Sequence, residues 1–224
     1  MQVLIVGSGK LASELLQAHS LPAPFVVDGW SGPPSALTPA IVVHAGSGRA
    51  LDEAIDYCHK TGSVLIELAT GSKLEGAAPG FPVVLCPNTN ILMLKFMNML
   101  AHSGKLFQGC RIGLTESHQS EKRSTPGTAL AMAQSLGLAA ADVVSVRDRD
   151  AQQTALHIPP AHLDRHAVHS ISIDDGSCRI VLETRVYGAA PYAEGVSRIV
   201  AAAAARPLEH RVYQVAEFVE NGWV

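Results

Sequence analysis

The stretch QVLIVGSGKLA at residues 2–12 decides how this chain begins to fold. Its first five residues form a short, largely apolar run with β-branched side chains, which predicts a buried parallel strand. The pattern Gly7-x-Gly9-x-x-Ala12 follows and leads into residues with helical spacing. This order of strand, glycine loop and helix is typical of a dinucleotide-binding loop. The glycines let the backbone approach a pyrophosphate, and the start of the helix offers N–H groups that bind it. A plain strand-to-helix turn is the alternative. We predict four cofactor-binding residues here: Gly7, Gly9, Lys10 and Leu11.

The following residues continue to alternate between strand and helix. Short apolar runs predict further strands at residues 25–28, 41–44, 64–68 and 83–86, with a helix at about 50–59 between two of them. Alternation of this kind indicates a doubly wound, Rossmann-type parallel sheet.

The pattern changes after residue 90. Helical spacing predicts helices at residues 91–103, 128–136, 195–204 and 212–219, and apolar runs predict strands at residues 111–117, 143–147, 168–173 and 179–187. The strands outnumber the helices between them, so we expect an open, mixed and largely antiparallel sheet with helices on one face. The fold class is therefore α/β, with a Rossmann-type sheet followed by an α+β part.

An acid ends the second predicted strand. Asp28 stands where a carboxylate would accept hydrogen bonds from the adenosine ribose. The same carboxylate would repel the negatively charged 2′-phosphate of NADPH. Gly29 and Trp30 follow and offer no arginine. We therefore expect NADH or NADPH as cofactor, with NADH slightly favoured. A solvated acid at a strand end is the alternative.

Two loops of small residues follow the third and fourth strands, where sheets of this class bind ligands. The first begins at His44, which is either a cofactor contact or a polar strand end. The second supplies three predicted cofactor-binding residues, Ala69, Thr70 and Gly71.

Composition limits the classes of partner. The net charge of −3 argues against a broadly basic nucleic-acid surface, and no apolar run approaches the roughly 20 residues of a membrane span. The four cysteines form no CxxC pair, so we expect free thiols. The first residues predict a strand rather than a secretory leader, and together with the free thiols this leads us to expect a cytoplasmic protein. His162-x-x-x-His166 has the spacing of two metal ligands, but the prolines just ahead favour a surface loop, and we predict no metal site.

The most specific motif is ESHQSEK at residues 116–122, followed by PGTA at 126–129. A histidine and a lysine precede a predicted helix start, which places a proton donor beside an anion-binding helix terminus. The motif resembles E-x-H-H-x-x-K-x-D-x-P-S-G-T-A, the signature of the 4-hydroxy-tetrahydrodipicolinate reductase family. The resemblance extends to the N-terminal glycine loop, to residues 69–71, to the Pro87-Asn88 junction and to the tail around Tyr213.

This resemblance implies a two-domain, homotetrameric enzyme of lysine (diaminopimelate) biosynthesis that passes hydride from a nicotinamide to a cyclic imine with two carboxylates. It implies that His118 and Lys122 are catalytic, that Gln119, Gly127 and Thr128 bind substrate, and that Asn88 binds cofactor. Chemistry supports Lys122, since hydride addition to a conjugated imine leaves a carbanion-like site that an ammonium can protonate. Thr128 is also expected to cap the helix that it begins.

The chain departs from the family pattern at several points. Gln119 replaces the second histidine, Ser124 replaces the aspartate, one residue is missing between Lys122 and Gly127, and the R-G-G element is absent. A divergent reductase of another cyclic imine or carbonyl acid, or a non-catalytic nucleotide-binding homologue, is therefore the alternative function.

The predicted domains follow from these assignments. Residues 1–88 form the dinucleotide-binding domain, residues 199–224 pack back on it, and residues 89–198 form the substrate-binding and oligomerisation domain. The expected partners are a small dicarboxylate substrate and further copies of the chain, with no nucleic acid and no membrane.

Overall fold

A computed structural model describes residues 1–17, 21, 24–123, 126–188 and 192–224. The chain divides into two compact units, one made of Met1–Leu94 and Tyr192–Val224, the other of Lys95–Pro191. The functional division that we placed after residues 88 and 198 stays a prediction.

The described residues form ten strands and seven α-helices. The strands are β1 (Gln2–Val6), β2 (Val26–Gly29), β3 (Ile41–His44), β4 (Val64–Glu67), β5 (Val83–Leu85), β6 (Arg111–His118), β7 (Val143–Val146), β8 (Ala167–Asp174), β9 (Arg179–Val186) and β10 (Val212–Gln214). The helices are α1 (Lys10–Gln17), α2 (Leu51–Thr61), α3 (Ile91–Ser103), α4 (Gly127–Ser135), α5 (Arg149–Thr154), α6 (Ala193–Ala204) and α7 (Val215–Glu220). Within the described ranges, no helix is both long and apolar enough to cross a membrane.

The first unit is a six-stranded sheet in the order β10-β5-β4-β3-β1-β2, and every neighbouring pair of strands is parallel. Side chains alternate between the two faces of each strand. Val3 and Ile5 of β1 therefore pack in one core with α1, α6 and α7, whereas Leu4 and Val6 pack in the other core with α2. Burial on both faces explains why β1 and β3 read as continuous apolar runs.

The end of the chain corrects one prediction. We expected a single helix at residues 212–219, but Val212–Gln214 form β10 and only Val215–Glu220 are helical. β10 adds to the sheet edge beside β5, with Val212 opposite Val83. A strand of three residues leaves no periodic signal, so only its pairing partner reveals it.

The second unit is a four-stranded sheet in the order β7-β6-β8-β9. β6 and β7 are parallel, and the other two pairs are antiparallel. The mixed sheet confirms the predicted fold class. The register places Glu116 of β6 opposite His169 of β8, which in turn lies opposite Thr184 of β9.

The start of α4 corrects a second prediction. The helix begins at Gly127, and its N-cap residue is Pro126, with φ −65° and ψ 143° and no side-chain cap hydrogen bond. Thr128 therefore lies inside the first turn and is not the cap that we expected. Proline accounts for the difference, because its fixed φ suits a residue at a helix entrance. The short helix α5 had no counterpart in the predicted elements.

Candidate functional site

The carboxyl ends of β3 and β4 open on a cleft in the first unit. The cleft has a volume of about 660 Å³. Its walls include Ser47 and Gly48 after β3, and the predicted residues Ala69, Thr70 and Gly71 after β4. The structure therefore brings the two loops of small residues together around one space, as parallel strands ending at one edge require.

The two glycines of the N-terminal loop serve different purposes. Gly7 has φ +140°, and a Cβ there would lie 2.6 Å from the carbonyl oxygen of Ala45, so only glycine fits between β1 and the loop after β3. A Cβ on Gly9 would meet nothing within 4 Å, which leaves open space beside the start of α1. Lys10 and Leu11 form the first residues of that helix. The open helix start fits the approach of a cofactor pyrophosphate.

Asp28 and Asn88 both have intramolecular partners. The exposed carboxylate of Asp28 accepts a hydrogen bond from Nε2 of Gln2 at 3.5 Å. Oδ1 of Asn88 accepts from the backbone N–H of Asn90 at 3.0 Å, in the turn that leads into α3. Their predicted roles as cofactor ligands stay predictions.

His44 does not reach the cleft surface. It is completely buried, and its imidazole is hydrogen-bonded to Glu67, which is equally buried at the end of β4. Sequence reasoning missed Glu67, although an acid inside the apolar strand VLIEL was a signal for it.

In the second unit, the end of β6 carries a buried ion pair. Glu116 is fully buried, and its two carboxylate oxygens accept from Nη2 of Arg147 at 2.6 Å and from Nη1 of the same guanidinium at 3.2 Å. Nδ1 of His118 lies 2.8 Å from Oε2 of Glu116. The two-residue spacing puts Glu116 and His118 on one face of the strand. Arg147, which follows β7, had no place in the predicted site.

These contacts fix the charge of Glu116. Burial opposes ionisation, but hydrogen bonds from His118, Arg147 and Ser145 outweigh it and hold the pKa of Glu116 at about 2. The carboxylate is therefore ionised at neutral pH and acts only as an acceptor, so Nδ1 of His118 donates to it. Nε2 is consequently the ring nitrogen of His118 that is left for a ligand.

Arg147 also holds the turn that carries the predicted lysine. The backbone N–H of Lys122 donates to the carbonyl of Gln119 at 3.0 Å, which closes a turn. Nε of Arg147 donates to the carbonyl of Lys122 at 2.8 Å. One guanidinium thus ties the turn from Gln119 to Lys122 to the carboxylate beside His118. Ser124 lies outside the described residues.

Three further side chains support His118. Nε2 of Gln152 donates to the His118 carbonyl at 2.7 Å, from α5. The ring of His169 packs edge-on against His118 at 5.7 Å between centroids, and Nδ1 of His169 lies 3.2 Å from Oγ1 of Thr184. Burial, together with the nearby His118, lowers the pKa of His169 to about 4, so His169 is neutral at pH 7. Sequence reasoning missed Gln152 and Thr184, which only the fold brings here.

The histidine pair considered for metal has a different arrangement. His162 ends a short 3-10 turn, Pro160–His162, and its carbonyl accepts from Nδ1 of His166 at 3.0 Å. Across the described part of the chain, no group of three or more His, Cys, Asp or Glu side chains could hold a metal ion.

Comparisons with known proteins place this architecture. No family model matches the chain. The chain is 34% identical over 96 residues to the probable 4-hydroxy-tetrahydrodipicolinate reductase 1, chloroplastic, of Oryza sativa subsp. japonica; the matched segment spans 40% of this chain but only 28% of that relative.

Two solved structures share the fold. One is a dipicolinate-bound dihydrodipicolinate reductase from Paenisporosarcina sp. TG-14, with a TM-score of 0.64 at 15% identity, covering 96% of this chain and 97% of that one. The other is an engineered D-amino acid dehydrogenase bound to NADP⁺, with a TM-score of 0.51 at 11% identity, covering 97% and 93%. At these identities the likeness is one of fold.

The two units therefore define a protein with a Rossmann-type parallel sheet and a second, α+β unit built on an open mixed sheet. Part of the chain is thus similar in sequence to a probable 4-hydroxy-tetrahydrodipicolinate reductase, and its fold is similar to that of a dihydrodipicolinate reductase.

Proposed function

We propose that the chain is an NAD(P)H-dependent reductase of a small dicarboxylate imine, and that this imine derives from 4-hydroxy-tetrahydrodipicolinate. The observation that carries the proposal is the arrangement at the end of β6. There, Arg147 joins the turn of Lys122 to the Glu116–His118 pair. A lysine on a turn held in this way is suited to chemistry on an anionic substrate.

Each residue of this region has a proposed role. The N–H groups of Gly127 and Thr128, at the start of α4, bind one substrate carboxylate. Gln119 donates a hydrogen bond to the substrate, and Nε2 of His118 contacts it while Glu116 fixes the ring. Lys122 delivers a proton to the carbanion-like carbon that hydride addition to the conjugated imine leaves, and its positive charge balances the carboxylates.

The cleft of the first unit is the proposed cofactor site. When bound, a nicotinamide cofactor supplies the hydride. The open space at Gly9 and the small residues from Ala69 to Gly71 would hold it, with Asp28 favouring NADH over NADPH. A homotetramer in the cytoplasm remains part of the proposal on the family resemblance alone.

One feature favours a second candidate, a reductase of another cyclic imine or carbonyl acid. Gln119 is neutral where the family pattern has a second histidine, so the site has one fewer group that can carry charge. The loop between Lys122 and Gly127 is also one residue shorter. A displacement of about 1 Å in a catalytic group can change a rate by about a hundredfold, so a different substrate shape is the consistent outcome.

The test is to follow NADH and NADPH oxidation with enzymatically generated 4-hydroxy-tetrahydrodipicolinate, comparing wild type with Lys122→Ala. We expect turnover to fall by at least about a hundredfold, since a positioned general acid contributes about that much, while the cofactor dissociation constants stay unchanged. Lys105→Ala is the matched control, because Lys105 is an exposed lysine of the same unit.

The outcomes separate the candidates. Equal turnover by wild type and Lys122→Ala would refute the proposed role of Lys122. Cofactor binding without turnover of this substrate would favour the second candidate or a non-catalytic nucleotide-binding homologue, and screening other cyclic imines would then distinguish those two. Tighter binding of NADPH than of NADH would refute the role given to Asp28.

A further inference from the structure

A buried polar pair lies beneath the cleft of the first unit. His44 is the last residue of β3 and Glu67 the last residue of β4, and the parallel register places them opposite each other. Neither side chain is exposed to any degree. Burying two polar side chains costs free energy unless their polar atoms are hydrogen-bonded. The hydrogen-bond partners of His44 and Glu67 therefore show what the pair does in the fold.

The hydrogen bonds of His44 define its protons. Nε2 lies 2.9 Å from the carbonyl oxygen of Arg49, which can only accept, so Nε2 carries a proton. Nδ1 lies 2.9 Å from Oε1 of Glu67. The same Oε1 accepts from the backbone N–H of Ala69 at 2.8 Å, and Oε2 accepts from Oγ of Ser72 at 3.3 Å. Glu67 thus contacts His44 on one side and two hydrogen-bond donors of the loop after β4 on the other.

His44 thereby holds the loop that follows β3. Ser47, Gly48 and Ala50 in this loop all have positive φ, at 49°, 88° and 57°. Such a backbone is unfavourable for Ser and Ala and persists only where surrounding contacts fix it. The bond from Nε2 of His44 to the Arg49 carbonyl lies in the middle of this strained segment. Ser47 and Gly48 line the cleft.

Glu67 holds the loop that follows β4. Its bonds to Ala69 and Ser72 span the segment that contains Thr70 and Gly71, and this segment lines the cleft from the other side. The bond between His44 and Glu67 therefore connects the two loops through buried side chains, next to the backbone hydrogen bond from the N–H of Leu68 to the carbonyl of His44 at 3.0 Å.

We propose that His44 and Glu67 form a positioning pair that fixes the spacing of the two cleft loops and thereby sets the affinity of the cleft for its cofactor. The part concerning the cofactor rests on the proposed function. Neither residue acts on the substrate, so the pair should influence cofactor binding far more than the chemical step.

Two isosteric variants of the full chain separate the two connections. The amide nitrogen of His44→Asn can replace Nδ1 and reach Glu67 but not Arg49, whereas that of His44→Gln can replace Nε2 and reach Arg49 but not Glu67. Asp56→Asn is the matched control, since Asp56 pairs with Lys60 on the exposed face of α2 in the same unit. The first readout is hydrogen exchange of backbone amides without cofactor, at residues 46–50, at residues 69–72 and in β3.

We expect His44→Asn to speed exchange at residues 46–50 by about tenfold and to leave residues 69–72 unchanged, because losing a hydrogen bond of about 1.4 kcal/mol raises an opening equilibrium about tenfold. His44→Gln should give the reverse pattern. The exchange of β3 should remain as in wild type. Equal acceleration of both loops and β3 in both variants would mean a merely structural role, and no acceleration in either loop would mean no role; either result overturns the inference.

Glu67→Gln provides a second test if the His44 variants fail to fold. It preserves the shape of the side chain while removing its charge, and we expect it to raise the dissociation constants of NADH and NADPH about tenfold, with kcat at saturating cofactor changed less than about threefold. An unchanged dissociation constant, or a fall in kcat alone, contradicts the pair's role. If wild type binds neither nucleotide, the proposed function fails, whereas the exchange results still decide whether the pair positions the loops.

Discussion

Replacing Glu116 by Gln tests whether the buried carboxylate organises the second unit. Gln has nearly the same shape as Glu and is neutral, like a protonated Glu. It can keep some of the hydrogen bonds, but it lacks the negative charge to which Arg147 and His118 donate. The free energy of unfolding of the variant at neutral pH should therefore be lower by the amount that ionisation of Glu116 contributes to the folded protein.

The magnitude follows from the pKa. Glu116 falls from an ordinary pKa of 4.5 to about 2, a difference of about 2.5, and each unit of pKa corresponds to about 1.4 kcal/mol, so the charge contributes about 3 kcal/mol at pH 7. This value suits a carboxylate with no solvent exposure whose partner, Arg147, is mostly buried.

The pH dependence has a definite sign. Because the folded pKa lies below 4.5, the contribution is complete well above pH 4.5 and declines as the pH falls toward about 2. The difference in unfolding free energy between wild type and Glu116→Gln should shrink from about 3 kcal/mol at neutral pH to about 2 kcal/mol near pH 3.5.

Urea denaturation of both proteins at the two pH values measures this difference. Glu183→Gln is the control, since Glu183 pairs with Arg185 in a partly exposed bridge on the same sheet and should cost less than about 1 kcal/mol. A difference below about 1 kcal/mol for Glu116→Gln, or one that does not change with pH, would refute the assignment of an ionised, organising carboxylate.

Three glycine substitutions test the backbone packing of the first unit. Gly7→Ala should lower the unfolding free energy by about 2 kcal/mol or more, because its Cβ would lie 2.6 Å from the Ala45 carbonyl oxygen and its φ is +140°. Gly9→Ala should change the unfolding free energy by less than about 1 kcal/mol, because the space around its Cβ is open. Equal losses in the two variants would contradict the packing argument. Gly195→Ala should lower the melting temperature most, since a Cβ would lie 1.5 Å from the Thr89 carbonyl, and a melting temperature equal to that of wild type would show that α6 does not pack there as described.

Much of the fold was predictable because it depends on local patterns. The run at residues 2–6, the loop at Gly7 and the helix after it form one continuous signal, and α3 has the predicted limits. The strand at Val212–Gln214 was not predictable, since a three-residue segment becomes a strand only through pairing with β5. The helix start at Gly127 was missed because the conformation of Pro126 decided it, rather than the hydroxyl of Thr128.

The candidate site was predictable to the extent that it lies in one sequence motif. His118 and Lys122 are four residues apart, and the motif names both. Arg147 is 31 residues from Glu116 along the chain, and the parallel pairing of β6 with β7 brings them together. No spacing rule within one sequence connects such residues, because their proximity depends on the register of two strands.

The same physical problem explains both buried side-chain pairs, Arg147 with Glu116 and His44 with Glu67. A loop at the end of a strand exposes carbonyl groups that no sheet partner satisfies, and its conformation stays loose unless a side chain accepts or donates there. Arg147 satisfies the carbonyl of Lys122, and His44 satisfies the carbonyl of Arg49; each of these donors is itself held by a fully buried carboxylate. Side chains that meet ligands must remain accessible and therefore cannot be packed into the core. The order of such a site must therefore come from buried residues next to it, which is why we expect substitutions at the fully buried Glu116 or Glu67 to alter ligand binding.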